Sequence, residues 1–305
     1  MIDILLALYN GAEYLSAQTD SIIAQTETDW HLYICDDGSS DESFAIAESY
    51  ARRYPDRITA VKNEVPTGSS CGNFMSMLRR SDAEYIMFCD QDDIWCPDKV
   101  SRTLAAMREA DTGCPVLVHT ELEIVDEKVN TLHRSFTGFQ GLDPRCRSLN
   151  RLLAQNNVTG CTVMINRQLA DIVKKAHAED MLMHDWWAAL AAAAFGRVVF
   201  IDEPLIKYRQ HGGNVLGAVD NRSMKGISAV LKNRSHTKER INASYEQAAR
   251  FLRIYGDELP AEARRTVEAY ISVKGCIKPV RIAKLIKYGF LKQNFMSAVG
   301  QLIFC

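Results

Sequence analysis

Three carboxylates in four residues, Asp90, Asp92 and Asp93, directly follow the apolar run 85–89. Like charges this close repel one another unless a cation sits among them. Hard oxygen ligands at such spacing suit Mg2+ or Mn2+. A divalent ion held there can grip a diphosphate and stabilise its charge as it leaves. The competing reading is a solvated acidic turn that caps the helix opened by Pro97. A second pair, Asp36 and Asp37, follows the apolar run 30–35 in the same way. Its loop, through Gly38, Ser39, Ser40 and Asp41, has groups to hydrogen-bond a base and a ribose. A turn with an N-cap explains Ser40 and Asp41 but not two adjacent aspartates at a strand end.

Those loops need a frame. The first third of the chain alternates short apolar runs with helical patterns. Strands are predicted over 2–8, 30–35, 58–62 and 85–89, and helices over 13–25, 41–53, 71–79 and 97–107. Leu15, Ala17, Ile22 and Ile23 form part of the first helix's apolar side, and Ser40 or Asp41 is placed to cap the second. This alternation is the signature of a parallel sheet covered by helices. Ligands of such sheets bind beyond the carboxyl ends of the strands, so segments 9–11, 36–39 and 90–93 matter most. Further on, strands are expected over 116–120, 161–165 and 197–201, and helices from 167 and over 183–194. Loops are expected over 126–147, and a helical pattern follows from about 214, with breaks at Gly256, Asp257 and Pro260.

The 305 residues are 47% apolar with a formal net charge of -2, ample for a real core and without an overall nucleic-acid signature. Nine cysteines, an odd number with no CxxC pair, read as reduced and mostly buried thiols. None forms a cluster with zinc-ligand spacing. Met1 runs straight into an apolar strand whose Asp3 spoils a secretory core, and no apolar run is long enough to span a bilayer. The expectation is a cytoplasmic protein whose membrane contact, if any, is peripheral. Two acidic clusters at successive strand ends also fit a Mg2+-dependent phosphohydrolase or receiver-type phosphotransfer protein. In those, acid usually ends the first strand, where this chain has Leu8-Tyr9-Asn10-Gly11.

Residues 5–11, 35–41 and 90–99, taken in order, resemble glycosyltransferase family 2. The run Asp90-Gln91-Asp92-Asp93-Ile94-Trp95, with His184-Asp185-Trp186-Trp187 and Tyr208-Arg209-Gln210-His211 downstream, is similar to its rhamnosyltransferase-like branch. These motifs, in order over residues 2–217, are far more specific together than any one alone. The resemblance implies an α/β A-type glycosyltransferase fold, a single mixed, mostly parallel sheet with flanking helices over 1–217. A helical extension over 218–305 would follow. It implies inverting transfer from a nucleoside diphosphate sugar, with dTDP-L-rhamnose one candidate, to a glycan or glycolipid acceptor. A non-catalytic sugar-nucleotide-binding module is the alternative.

Carried over by position, Tyr9 would border the nucleobase, with Asn10 and Gln91 among the donor contacts. Asp36 and Asp37 would meet base and ribose. Asp90 and Asp92 would form the metal motif, Asp92 the more direct ligand, while Asp93 and Trp95 would serve acceptor or loop. Asp185 would be the catalytic base, since an inverting transfer needs one carboxylate within reach of the attacking hydroxyl and no covalent nucleophile. An N-cap is the plainer role for it. Trp186 and Trp187 would stack on a sugar ring or pack in the core. Arg209 would approach the phosphates and His211 the metal or diphosphate, with Gly212 and Gly213 letting the loop close. Segment 156–160 resembles the acceptor side. One departure is Leu8, where the family usually carries threonine.

From Ala269 onward there is no acidic residue, while Lys274, Lys278, Arg281, Lys284, Lys287 and Lys292 are spread through the segment. Ile282, Leu285, Ile286, Tyr288 or Phe290, Phe295, Val299, Leu302 and Ile303 recur at nearly helical spacing. Basic residues along an amphipathic helix point to an anionic membrane surface, the inner face of the cell membrane for a lipid-linked acceptor. A helix packed on the catalytic domain with a solvated basic face is the alternative.

Overall fold

The run Ile2–Leu8 is enclosed along nearly its whole length, and only parallel strands covered on both faces read as unbroken apolar sequence. In the computed structural model, which describes residues 1–211 and 234–304, this strand (β1) is central to one mixed sheet. β2 (Trp30–Asp36) and β3 (Ile58–Lys62) lie parallel to it on one side, and β4 (Tyr85–Asp90) is parallel on the other. Beyond β4 the sheet continues antiparallel through β8 (Met164–Asn166) to β6 (Val116–Val125), which pairs parallel with β9 (Arg197–Arg209). The two-residue β5 (Ile94–Trp95) closes that edge antiparallel to β9, and β7 (Thr131–His133) pairs with β6. The expected mixed sheet with flanking helices is what the chain builds.

The helices α1 (Ala12–Ile23), α2 (Ser43–Arg53), α3 (Ser70–Arg80) and α4 (Lys99–Ala110) alternate with the first strands as expected. Ser69 caps α3 by accepting the Gly72 N–H, whereas α2 starts after Glu42 with no side-chain cap. Asp41 instead accepts the Ser43 N–H at 3.0 Å, one step outside the helix. Three expectations need correction. Segment 126–147 is not all loop: it holds β7 and the short α5 (Phe136–Gln140). Buried Glu121 organises α5 by accepting the Phe136 N–H at 3.1 Å and the Ser135 hydroxyl at 2.7 Å. The strand expected over 161–165 is split, with Gly160–Thr162 forming a 3-10 turn before β8. β6 and β9 both run well past their expected ends, and β9 reaches Arg209.

Short α6 (Leu149–Ala154) and α7 (Arg167–Val173) precede α8 (His184–Phe195), which is buried on nearly every side. A helix apolar all round needs cover all round. The sheet covers one side, and α6, α7 and α9 (Arg234–Tyr255) pack around the rest, with α10 (Ala261–Lys274) stacked on α9 and α6. Trp187 of α8 packs edge-on against Phe251 at 5.3 Å. α11 (Lys278–Lys287) and α12 (Phe295–Phe304) complete the described chain, with Leu285 and Phe290 sealed into the same core. The expected boundary at 217/218 lies outside the described residues. Among the described residues the cysteines are free thiols, and no helix is long and apolar enough to cross a membrane.

Candidate active site

Sheet register decides what meets at the carboxyl edge. Leu8 pairs with Asp36 on one side of β1, and Ala7 pairs with Asp90 on the other. The two acidic loops therefore flank the end of β1, about 10 Å apart across it. Gln91 Oε1 accepts the Tyr9 N–H at 2.8 Å while its Nε2 donates to the Tyr9 carbonyl at 3.0 Å. Asn10, at φ 47°, donates its N–H to Ser39 Oγ at 2.9 Å and accepts the Ser40 N–H at 2.9 Å. Asparagine is among the few residues that tolerate this backbone. Both side chains thus join β1 to its neighbouring loops. The Tyr9 ring, 58% exposed, is left facing outward, whereas Leu8 is sealed in the core.

Asp36 is fully buried and accepts the Ser39 N–H. Asp37 accepts four hydrogen bonds, from Asn63 Nδ2 (2.8 Å), the Thr67 N–H (2.7 Å), the Thr67 hydroxyl (2.9 Å) and the Gly68 N–H (2.9 Å). That number fills the carboxylate's capacity. Asp37 therefore ties segment 63–68 to the end of β2.

The third loop is built differently. Ligand atoms of Asp90, Asp93 and Cys161 lie within 4.8 Å of one another. Asp93 is fully buried; its Oδ1 accepts the Arg209 N–H at 3.3 Å, and its Oδ2 has no hydrogen-bond partner. Burial pushes the Asp90 carboxyl up to about 7, with Asp92 and Asp185 adding to the rise. Asp93 is driven well above the carboxylate range by burial first, then by Asp92 and Asp90. His211 Nε2 meets Asp92 Oδ2 at 2.8 Å, and Arg209 Nε donates to the Asp92 carbonyl at 2.9 Å. The Tyr14 ring packs against both, 4.7 Å from the His211 ring and 4.9 Å from the guanidinium.

Crowded, desolvated carboxylates and an orphaned buried oxygen are what a divalent cation relieves, so the donor set fits one. The ligand atoms that converge for it among the described residues are those of Asp90, Asp93 and Cys161, while the expected ligands Asp92 and His211 pair with each other beside them. Behind them lies Lys99, fully buried, its Nζ 4.4 Å over the Trp95 ring and without a hydrogen-bond partner. Burial lowers it to about 8.

Asp185 lies in the first turn of α8, and the N-cap is Met183, so the capping role does not fall to Asp185. Its Oδ1 accepts from Asn156 Nδ2 at 3.2 Å and from the Trp186 N–H. Burial raises it to about 7 despite these bonds and that from Gly160. A carboxylate near neutrality is suited to accept a proton at physiological pH. Beside it His184 packs against Phe74 (4.3 Å) and Phe88 (4.8 Å), with both ring nitrogens buried and unpartnered. Burial pushes it down to about 3, which keeps it neutral.

The geometry corrects several expected roles. Trp187 is sealed in the core with Nε1 bonded to Tyr255 Oη at 3.0 Å, so it offers no sugar platform. Trp186 stays half-buried and donates Nε1 to the Leu152 carbonyl at 2.7 Å. Trp95 is 2% exposed and lies under Lys99. Asp93 Oδ1 accepts the Arg209 N–H and so ties the acidic loop to β9. Arg209 is only 5% exposed and clamps backbone at Asp92 and Glu127. Gly212 and Gly213 lie outside the described residues. Sequence reasoning missed Tyr14, Lys99 and Cys161. Lys99 ends the acidic motif and was readable there, whereas Cys161 is brought in only by the fold.

The chain is 27% identical over 247 residues to the dTDP-rhamnosyl transferase RfbG of Shigella flexneri, across 77% of this chain and 81% of that protein. It is 28% identical over 171 residues to the UDP-Glc:alpha-D-GlcNAc-diphosphoundecaprenol beta-1,3-glucosyltransferase WfgD of Escherichia coli, covering 55% of this chain and 61% of that one. Its fold is similar to residues 1–349 of S. aureus TarS in complex with UDP, with a TM-score of 0.57 at 13% identity over 94% of this chain and 79% of that one. The pattern described as Glycosyl transferase family 2 matches residues 3–171, more than half of the chain. With the site assembled at the edge where that pattern lies, the chain belongs to glycosyl transferase family 2 and is a transferase.

Proposed function

We propose that this chain is an inverting glycosyltransferase that moves a sugar, with L-rhamnose from dTDP-L-rhamnose the first candidate, to a hydroxyl of a growing lipid-linked surface polysaccharide. One observation carries the reading. A dry carboxylate poised near neutrality, Asp185, lies close enough to the acidic loop to raise Asp90. An inverting transfer needs that pair of features: a base for the acceptor and a charged cradle for the leaving diphosphate.

In this reading Asp185 takes the proton of the acceptor hydroxyl as its oxygen attacks the anomeric carbon. The bond from that carbon to the diphosphate oxygen breaks, and its electron pair leaves with the nucleoside diphosphate. Asp90 and Asp92, with His211, hold Mg2+ or Mn2+; the chemistry such an ion supplies when bound is neutralisation of charge on the diphosphate. Asp36 and Asp37 shape the base and ribose loop, bordered by the exposed Tyr9 ring. Arg209 acts by fixing the Asp92 backbone. The rhamnosyl-transferring relative favours the donor, and the diphosphoundecaprenol-linked acceptor of the second relative favours a lipid-linked glycan. Peripheral contact with an anionic membrane belongs to the same reading, supported by basic α11 and by exposed Ile286 and Phe295.

A donor panel tests it. Purified protein is given Mn2+ or Mg2+ and several sugar nucleotides, and nucleoside diphosphate release and donor binding are followed with and without EDTA. Metal-dependent release from one donor establishes the transfer and names the sugar. Neither release nor metal-dependent binding of any donor overturns the reading.

A further inference from the structure

The helices after 234 enclose a second, smaller site. A cavity of about 210 Å3 is lined by Lys238, Asn242 and Tyr245 of α9, Lys274 of α10, Arg281 of α11 and Phe304 of α12. Clefts that hold drug-sized ligands run to roughly 300–1,000 Å3, so this one suits a compact group. Three of its lining residues are cations, each from a different helix. Glu246 pairs with Lys274 at 3.2 Å, but no lining residue is acidic. Arg281 donates Nη2 to the Lys274 and Cys276 carbonyls at 3.1 and 2.8 Å, and its Nε–H is buried without a hydrogen-bond partner. A desolvated guanidinium N–H with nothing to donate to is costly unless an acceptor arrives.

Exposed apolar residues neighbour the lining residues along the chain. Ile277 is 72% exposed, Val280 43% and Ile303 46%. Ile277 and Val280 share the first turn of α11 with Arg281, and Ile303 precedes Phe304. Lys278 Nζ donates to the Ile303 carbonyl at 2.8 Å and so holds the end of α12 against the start of α11. A cavity lined by cations whose chain neighbours are exposed aliphatic residues matches the boundary between headgroup and acyl chain.

We propose that this cavity seats the phosphate of an anionic membrane lipid, with Ile277, Val280 and Ile303 entering the acyl boundary around it. Lys238, Lys274 and Arg281 supply charge-assisted hydrogen bonds to the phosphate oxygens. The proposal rests on the membrane contact inferred above and locates it on one cavity.

The test is sedimentation of the full chain with vesicles of phosphatidylcholine alone or mixed with phosphatidylglycerol. Binding is expected with the anionic vesicles only. Lys238→Gln and Arg281→Gln are each expected to lower partitioning by more than about fivefold, the share of one basic residue at an anionic surface. Lys284→Gln and Lys287→Gln, off the cavity on the same helix as Arg281, are expected to lower it less. Lys238 is exposed, so its variant keeps the test free of any folding effect of changing Arg281. Equal losses from all four substitutions overturn the cavity and leave the membrane contact standing. No sedimentation of the unmodified chain with anionic vesicles overturns both. Lys238-dependent binding of inorganic phosphate without vesicle binding assigns the cavity to a free anion and also overturns the proposal.

Discussion

Replacing Asp185 by asparagine is expected to damage catalysis and strengthen the fold. The side chain keeps its shape, and its amide oxygen can still accept from Asn156 Nδ2 and the Trp186 N–H, which now meet Asp185 Oδ1. What disappears is the ionisable proton. The carboxyl stands at about 7 in the fold against an ordinary 3.8, chiefly through burial. Below pH 4 folded and unfolded chains both carry it protonated, and it contributes nothing to pH dependence. Between pH 4 and 7 the folded chain binds more protons at this position, so stability falls as pH rises. Above pH 7 the deprotonated group costs about 4 kcal/mol, at about 1.4 kcal/mol per tenfold in proton affinity. Asp185→Asn removes that cost. Urea unfolding in EDTA should show the variant more stable than the parent at pH 8, by up to about 4 kcal/mol, and nearly equal at pH 4. Loss of a general base costs about 10²–10⁴ in rate, so kcat should fall by that factor while the donor's binding constant changes little. Full retention of kcat, or a variant less stable at pH 8 than at pH 4 relative to the parent, would refute the assignment of Asp185 as a desolvated base.

The rate should rise with pH around a midpoint near 7, because Asp185 works deprotonated. Asn156→Ala, which removes an amide that pulls the carboxyl down, should move that midpoint to higher pH; an unchanged profile would separate Asn156 from the base. Asp92→Ala should cost at least about 10² in kcat and abolish any metal dependence of donor binding by calorimetry, as expected where diphosphate charge is neutralised electrostatically. Gly160→Ala places a Cβ 2.8 Å from His184 Nε2, a ring wedged against Phe74 and Phe88. It should cost about 1–3 kcal/mol of stability by overpacking and lower kcat through the neighbouring Asp185, measured by thermal melts alongside initial rates.

Parallel strands were legible because burial on both faces leaves an unbroken apolar run, and that run ends where the acidic loops begin. The elements that escaped are short and depend on distant partners. β5 has two residues and exists because β9 runs on to meet it, and α5 is nucleated by Glu121 from another strand. Trp186 and Trp187 look alike in sequence, yet neighbouring residues on a helix point about 100° apart. Only the packing of α9 decides that Trp187 turns inward to Tyr255 while Trp186 stays near the surface. Cys161 carries no local signal either; the 3-10 turn at Gly160–Thr162 brings it to Asp90 and Asp93. The basic carboxyl-terminal pattern was half-resolved, since Leu285 and Phe290 pack inward while Ile286 and Phe295 stay exposed.

Sequence types do not separate the aspartates at this edge; hydrogen bonding does. Asp37 accepts four bonds from the loop it organises and has no capacity left for a ligand. Changing it should act through the shape of segment 63–68. Asp36 accepts only the Ser39 N–H and is enclosed, and Asp93 carries one bond to Arg209 and one orphaned oxygen. Asp90 and Asp185 are desolvated without being saturated, and each is held near 7. Their burial costs stability, and on the proposed reading a cation or an acceptor hydroxyl offsets that cost. In that reading, desolvated Asp90 and Asp185 are the carboxylates that meet cation and acceptor, while Asp37, with its four bonds, holds the loop beside them.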